Sequence, residues 1–162
     1  MDSFFIREIM VDELAQCAAV VREAFGTVAT EFSLTQENCP TNPAFITEQR
    51  LTEEYRMGKE MFVLCKDDTI IGFAELTKKD DTTYELGRLA VLPNYRHAGG
   101  GEVLLSYVKE QAKKRGAEQI TIGIIEENTR LKNWYAAHGF VHTATKRFDH
   151  LPFTVGFMHV TV

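Results

Sequence analysis

The sequence predicts an α/β chain of the α+β kind: a mixed, mostly antiparallel central sheet, helices on both of its faces, and one parallel β-α-β unit. Three observations lead there. Short apolar runs separated by tight polar turns fill residues 61–92, as an antiparallel meander requires. Residues 12–25 and 99–115 repeat apolar side chains at three- and four-residue spacing, as amphipathic helices do. A strand, a glycine-rich turn, the second of these helices and a further apolar run then follow in succession, which makes a right-handed crossover between parallel strands from Thr82 to Ile125.

Phe4, Ile6 and Ile9 mark a first strand, and Asp12 opens a helix carrying Leu14, Ala18, Val21 and Phe25 on one stripe. The stretch from Glu31 to Pro43 is polar and turn-rich. Asn42-Pro43 reads as an N-cap with proline in the first turn, predicting a second helix over Ala44 to Met57 that Gly58 ends. Met61–Lys66, Ile70–Thr77 and Thr82–Leu92 are the meander strands, with turns at Asp67-Asp68 and Lys78–Asp81. The helix that starts at Gly99 or Gly100 runs to Arg115 and stops at Gly116. Gln119–Ile125 is a continuous apolar strand, Asn128–Ala137 a short helix closed by Gly139, and Val141–Phe148 and Phe153–Val162 are the final strands. A single domain over 1–162 is the expectation for this length, and such a chain buries a core without metals or disulfides.

The formal net charge of −5 argues against a protein that neutralises nucleic-acid phosphates. No run approaches the roughly 18–20 apolar residues of a membrane span, and Met1–Arg7 lacks the pattern of a signal peptide. Cys17, Cys39 and Cys65 form no C-x-x-C pair, so neither a zinc knuckle nor a redox dithiol is expected. Cys17 and Cys65 lie in apolar runs and read as core, whereas Cys39, in a polar loop, reads as the candidate exposed thiol. Unpaired cysteines fit a reducing, cytoplasmic setting.

The segment Arg96-His97-Ala98-Gly99-Gly100-Gly101 stands between a strand and an amphipathic helix. Glycine there permits positive φ and close approach of another group. Amides at a helix start point outward, and the helix dipole favours an anion. Arg96 adds a side chain suited to a phosphate oxygen. Glu102 after Gly101 excludes a P-loop, which needs Lys-Ser/Thr there. A dinucleotide-binding G-x-G-x-x-G matches at Gly99 and Gly101 but meets Leu104 at its third glycine. Glu126 is the candidate ribose-binding acid in that alternative, which would make the chain an oxidoreductase.

A third pattern, R-x-x-G-x-G after a strand ending L-x-V-x-P, fits Leu89 through Gly101 position for position. It resembles the acyl-CoA-binding core of the GNAT superfamily of N-acetyltransferases. The stretch Asn128 to Phe140 is similar to that family's N-x-x-x-x-x-x-Y-x-x-x-G-F motif. Gly100 departs from the family pattern, which usually has a branched apolar residue there.

The resemblance implies an acetyl-CoA-dependent N-acetyltransferase with no metal. By it, the backbone of Leu89, Ala90 and Val91 pairs with the pantetheine arm, and the amides of Arg96, His97, Ala98, Gly99, Gly100 and Gly101 hold the pyrophosphate. Asn128 and Tyr135 sit near the pantetheine and sulfur, and the bound thioester lies between two parallel strands that splay apart, Glu85–Leu92 and Gln119–Ile125. Glu85 matches a glutamate that serves some members as general base, with Glu75 in reserve, and Tyr135 is the general acid for the departing thiolate. An amide from Leu89–Val91 is the oxyanion donor. The implied partner is a small-molecule or peptide amine, with neither nucleic acid nor membrane. A homodimer paired through Phe153–Val162 as an edge strand is a further expectation. A non-catalytic acyl-CoA sensor is the other alternative, against which the presence of both Glu85 and Tyr135 speaks. The histidines show no metal-ligand spacing. The acceptor is open among lysine side chains, polyamines, aminoglycosides and small amines. The 31–44 loop is expected to overhang its site, with Phe25, Phe32 and Phe45 as candidate lining.

Overall fold

The computed structural model describes residues 4–162. Its strands are β1 (Phe4–Glu8), β2 (Glu60–Lys66), β3 (Thr69–Lys78), β4 (Thr83–Val91), β5 (Gln119–Ile125), β6 (Val141–Arg147) and β7 (Thr154–Thr161). Its α-helices are α1 (Leu14–Glu31), α2 (Glu48–Arg56), α3 (Gly100–Lys114) and α4 (Thr129–Ala137). The seven strands form one sheet in the order β1-β2-β3-β4-β5-β7-β6, in which only β4 and β5 run parallel.

Alternation along the strands splits the buried side chains between two faces. Phe62 and Leu64 of β2, Ile71, Ala74 and Leu76 of β3 and Tyr84 and Leu86 of β4 pack with Leu104, Leu105 and Val108 of α3 and Tyr135 of α4. Met61, Val63 and Cys65 of β2 and Ile70 and Phe73 of β3 pack on the other face with Leu14, Cys17, Ala18 and Val21 of α1 and Leu51 of α2. Helices therefore cover both faces, as the sequence predicts.

Three expectations change. The second helix does not run from Ala44. Asn42 caps a short 3₁₀ turn, Pro43–Phe45, by accepting from the Ala44 amide at 2.9 Å. The chain then extends through Ile46, and Thr47 caps α2 by accepting from the Arg50 amide at 3.0 Å. Two capping residues five positions apart make two starts rather than one. Cys39 is buried, at 1 % exposure, among Ala29, Leu34 and Ile125. The apolar members of the loop, with Phe32, Phe45, Leu151 and Phe153, fold over it and exclude water. Finally, β7 is not an edge. It inserts between β5 and β6, because its Met158 and Val160 belong to the core while every residue of β6 is exposed.

Candidate active site

The β4–β5 pair holds for only three rungs: Thr83 with Gln119, Tyr84 with Ile120 and Glu85 with Thr121. Beyond Glu85, β4 remains paired to β3 alone and β5 to β7 alone, so two parallel strands diverge. A β-bulge opposite Phe73–Glu75 bends β4 here, and Arg88 within it takes φ 48°, an uncommon conformation for a residue with a side chain. Leu89, Ala90 and Val91 lie on the diverging arm and carry no β5 partner.

Glu85 stands on the last rung of the pair. Tyr84 and Leu86 point into the α3–α4 face, so Glu85 projects from the opposite face, half-buried. The register places Thr77, Glu85, Thr121 and His159 side by side there across four strands. Thr121 and His159 were not candidates from sequence; only strand register could have found them.

The glycine turn opens α3 as expected. Gly99 takes φ 88° and its Cα faces open space, with no atom within 4 Å of a Cβ built there. The first bond of the helix runs from the Val103 amide to Gly99 O at 3.1 Å, and the amides of Gly99, Gly100 and Gly101 have no hydrogen-bond acceptor among the described residues. Gly100 does a different job. A Cβ there would stand 3.0 Å from Leu64 Cδ2 and 3.6 Å from the Phe4 ring, so these side chains fill the room that a branched residue would need. At Gly101 a Cβ would meet only the Trp134 ring, at 3.5 Å, and Val91 Cγ2, at 4.0 Å. His97, with φ 66°, and Ala98 are exposed on the turn.

The Arg96 side chain does not face the open amides. Its Nε donates to Val91 O (3.2 Å), Nη1 to Thr27 Oγ1 (3.0 Å) and Nη2 to Ala24 O (2.7 Å). The guanidinium ties the turn to α1 and the end of β4, which leaves its backbone as the part of the residue available to a phosphate.

Asn128 caps α4, its Oδ1 accepting from the Leu131 amide at 3.2 Å. Tyr135, on the same helix, is packed edge-on between Trp134 and Phe140, with ring centroids 5.1 Å away in each case. Its hydroxyl has no hydrogen-bond partner among the described residues, and burial pushes the phenol well above its ordinary range. The group is a proton carrier at neutral pH. Tyr135 lies on the α3–α4 face and Glu85 projects from the other, with the divergence of β4 and β5 between them.

Behind Glu85 the sequence hid a buried ionic cluster. Arg88 donates to both oxygens of Glu54 and to Glu75 Oε1 at 2.8 Å. Arg50 donates to Glu54 Oε2 at 3.0 Å, and Lys59 Nζ lies 3.9 Å from Glu54 Oε1. Burial opposes the Glu54 charge, but hydrogen bonds from Arg88 and Arg50 outweigh it and hold the carboxyl below its usual range. For Glu75 burial wins, pushing its carboxyl up, and its Oε2 is buried without a partner among the described residues. Glu75 is thus committed to Arg88 rather than aligned with Glu85 as a base. The one sequence signal for this cluster is the acid itself, set inside the apolar run Ile70–Leu76.

Glu126 is engaged by Lys132 and by His142 Nε2 at 3.0 Å, and the sheet is mostly antiparallel, so neither feature matches a dinucleotide-binding site. Among the described residues no group of three His, Cys, Asp or Glu side chains is placed to hold a metal ion, and no helix is long and apolar enough to cross a membrane.

Comparison with known proteins agrees with this geometry. The PaiA N-acetyltransferase of Thermoplasma acidophilum, solved with coenzyme A, shares the fold at TM-score 0.76 and 21 % identity, over 99 % of both chains. The yncA protein of Salmonella typhimurium, solved with its cofactor acetyl-CoA, shares it at TM-score 0.72 and 18 % identity, over 98 % of this chain and 93 % of that one. An uncharacterized N-acetyltransferase of Mycobacterium bovis is 34 % identical over 82 residues, 51 % of this chain and 53 % of that protein. The match thus spans about half the length of that curated relative. The family described as Acetyltransferase (GNAT) family matches residues 29–140, a stretch that holds the splayed strands, the glycine turn and α4, and the chain belongs to that family.

Proposed function

We propose that the protein transfers the acetyl group of acetyl-CoA to a primary amine. The divergence of β4 from β5 carries the reading. It leaves one backbone edge of Leu89–Val91 unpaired in the sheet, and open amides at the head of α3 lie beyond it. An extended pantetheine arm completes the first and a pyrophosphate the second. Coenzyme A and acetyl-CoA in the two structural neighbours support the same cofactor.

In this mechanism Glu85, directly or through water, takes a proton from the ammonium form of the acceptor. The amine lone pair attacks the thioester carbonyl, and the N–C bond forms. A backbone amide of the splayed arm stabilises the oxyanion. The C–S bond then breaks, and Tyr135 gives its proton to the thiolate, whose free pKa is about 8.5 by analogy with cysteine. The products are an N-acetylated amine and the coenzyme A thiol.

Tyr135→Phe tests the assignment. It keeps the ring and its two aromatic neighbours and deletes a hydroxyl that bonds to no described residue, so the melting temperature should hold. Single-turnover transfer should fall by roughly the 10²–10⁴-fold of a lost general acid, with acetyl-CoA affinity nearly unchanged. Unaltered single-turnover rates would remove Tyr135 from the chemistry. Acetyl-CoA binding without thiol release from any amine would instead support the sensor reading.

A further inference from the structure

A cleft of about 230 Å³ opens beside the ionic cluster, between the 40–47 segment on one side and Arg50 and Arg88 on the other. Clefts that hold drug-sized ligands run to roughly 300–1,000 Å³, so this one has room only for a smaller molecule. No acidic side chain lines it; Glu54 and Glu75 reach Arg88 from elsewhere. The cluster holds three cations, Arg50, Arg88 and Lys59, against two carboxylates. Its surplus is positive.

The donors facing the cleft are also incompletely used. Arg88 covers both oxygens of Glu54, and Arg50 adds one further hydrogen bond to the same acid. Arg50 gives only its Nε to Glu54, and its Nη groups have no partner among the described residues. Asn42, 8 % exposed, accepts from Ala44 through Oδ1, which leaves Nδ2 without a partner among the described residues. That donor is not sealed from solvent, since the buried side-chain atom without a partner among the described residues is Glu75 Oε2, and it is therefore open to an acceptor entering the cleft. The left-handed conformation of Arg88 points the same way, since a strained residue at a cleft is held there by the structure around it.

We infer that this cleft receives the carboxylate of the acceptor, gripped by Arg50 and Arg88 with Asn42 Nδ2, so that the acceptor is an amino acid or a similar small amine with a carboxylate a few bonds from its nitrogen. Arg88 immediately precedes Leu89 on β4 and follows Glu85 by three residues, about 10 Å at the rise of a strand. A carboxylate held by Arg88 therefore places a nearby amine between the base and the splayed arm. The guanidinium fork suits the two oxygens of a carboxylate. This rests on the transferase reading. The covalent step is the same, giving an N-acetyl amino acid and the coenzyme A thiol.

The test compares each common L-amino acid with its primary carboxamide and with the amine lacking the carboxyl, by thiol release from acetyl-CoA. Acids should exceed the matched carboxamides at least about tenfold in kcat/KM. Arg50→Met should pull that ratio toward one by raising KM for the acids, and Arg50→Lys should restore part of it. Arg50 has a side chain 63 % exposed, so both variants should fold. Carboxamides and plain amines used as well as acids, or a ratio that Arg50→Met does not change, would overturn the inference and leave the transferase standing. Calorimetry with the same acids on the protein loaded with coenzyme A reads the cleft without catalysis. Binding lost in Arg50→Met, with no turnover of any amine, would keep the carboxylate site and sink the transferase. Failure of every acid to bind would sink the carboxylate site.

Discussion

Against one face of the sheet, α3 and α4 lay an apolar layer. Leu104, Leu105, Val108 and Ala112 meet Phe62, Leu64, Leu86 and Ile120, and Tyr84 and Tyr135 bring hydroxyls to that layer. Against the other, α1 and α2 cover β2 and β3 with a second apolar layer, and that layer gives way at β3–β4 to Glu54, Glu75 and Arg88. The alternation is the same on both sides; the cargo differs. Burial of apolar surface is non-directional and tolerates similar shapes. Buried charges need specific partners, so their face is expensive to alter and is where binding and proton transfer can be placed.

The sharpest way to break this contrast is Arg88→Met. It strands Glu54 and Glu75 without their shared guanidinium, and the expected loss is about 3–5 kcal/mol of stability, as for other broken buried pairs. Chemical denaturation measures it. A loss under ~1 kcal/mol would mean that water or Lys59 serves the carboxylates equally well.

Leu104→Ala is the matched experiment on the apolar face. Leu104 is fully buried, and its truncation should cost about 2–5 kcal/mol depending on how far the site collapses. Where the variant is folded, acetyl-CoA affinity should stay close to that of the parent. The comparison fails if the two variants alter acceptor kinetics equally.

Gly101→Val probes the boundary between the faces. The Cβ has ordinary contact with Trp134 and Val91, so the melting temperature should drop little. If the turn holds the pyrophosphate as proposed, the added methyl groups obstruct it, and affinity for acetyl-CoA should fall at least about tenfold, or ~1.4 kcal/mol. Unchanged calorimetric affinity would remove Gly101 from the cofactor site.

The smallest effect is electrostatic. Hydrogen bonding from Arg7, at 2.8 and 2.7 Å, lowers the Glu13 carboxyl from 4.5 to about 2. A carboxyl depressed in the folded state adds stability that is complete above about pH 4.5 and is lost as the pH falls through about 2. For a partly exposed pair this is about 1 kcal/mol or less. Glu13→Gln should flatten the acid limb of the stability profile in that window and leave its shape above pH 5 alone. An unchanged acid limb would assign it to other carboxylates.

The strands of the meander, the helix after the glycine turn and the crossover were legible because period-2 and period-3.6 patterns are local. Glu85, Tyr135 and the glycines stood out as candidates because they fall on recurring motifs. The cleft at Arg50 and Arg88 was not legible, since its members come from the 40–47 segment, α2 and β4 and share no spacing. Cys39 was misread because the polar residues around it conceal a loop that closes through distant Leu151 and Phe153.

What the sequence determined by itself was the order of elements and the turn that starts α3, because propensity, periodicity and glycine conformations act over a few residues. Tertiary structure decided the rest. It set β7 inside the sheet, stopped the β4–β5 ladder at Glu85, turned the Arg96 guanidinium onto α1, and brought two arginines to one cleft. Each depends on which strands become neighbours and which charges must share a partner, and these are settled only when segments far apart in the chain compete for the same space.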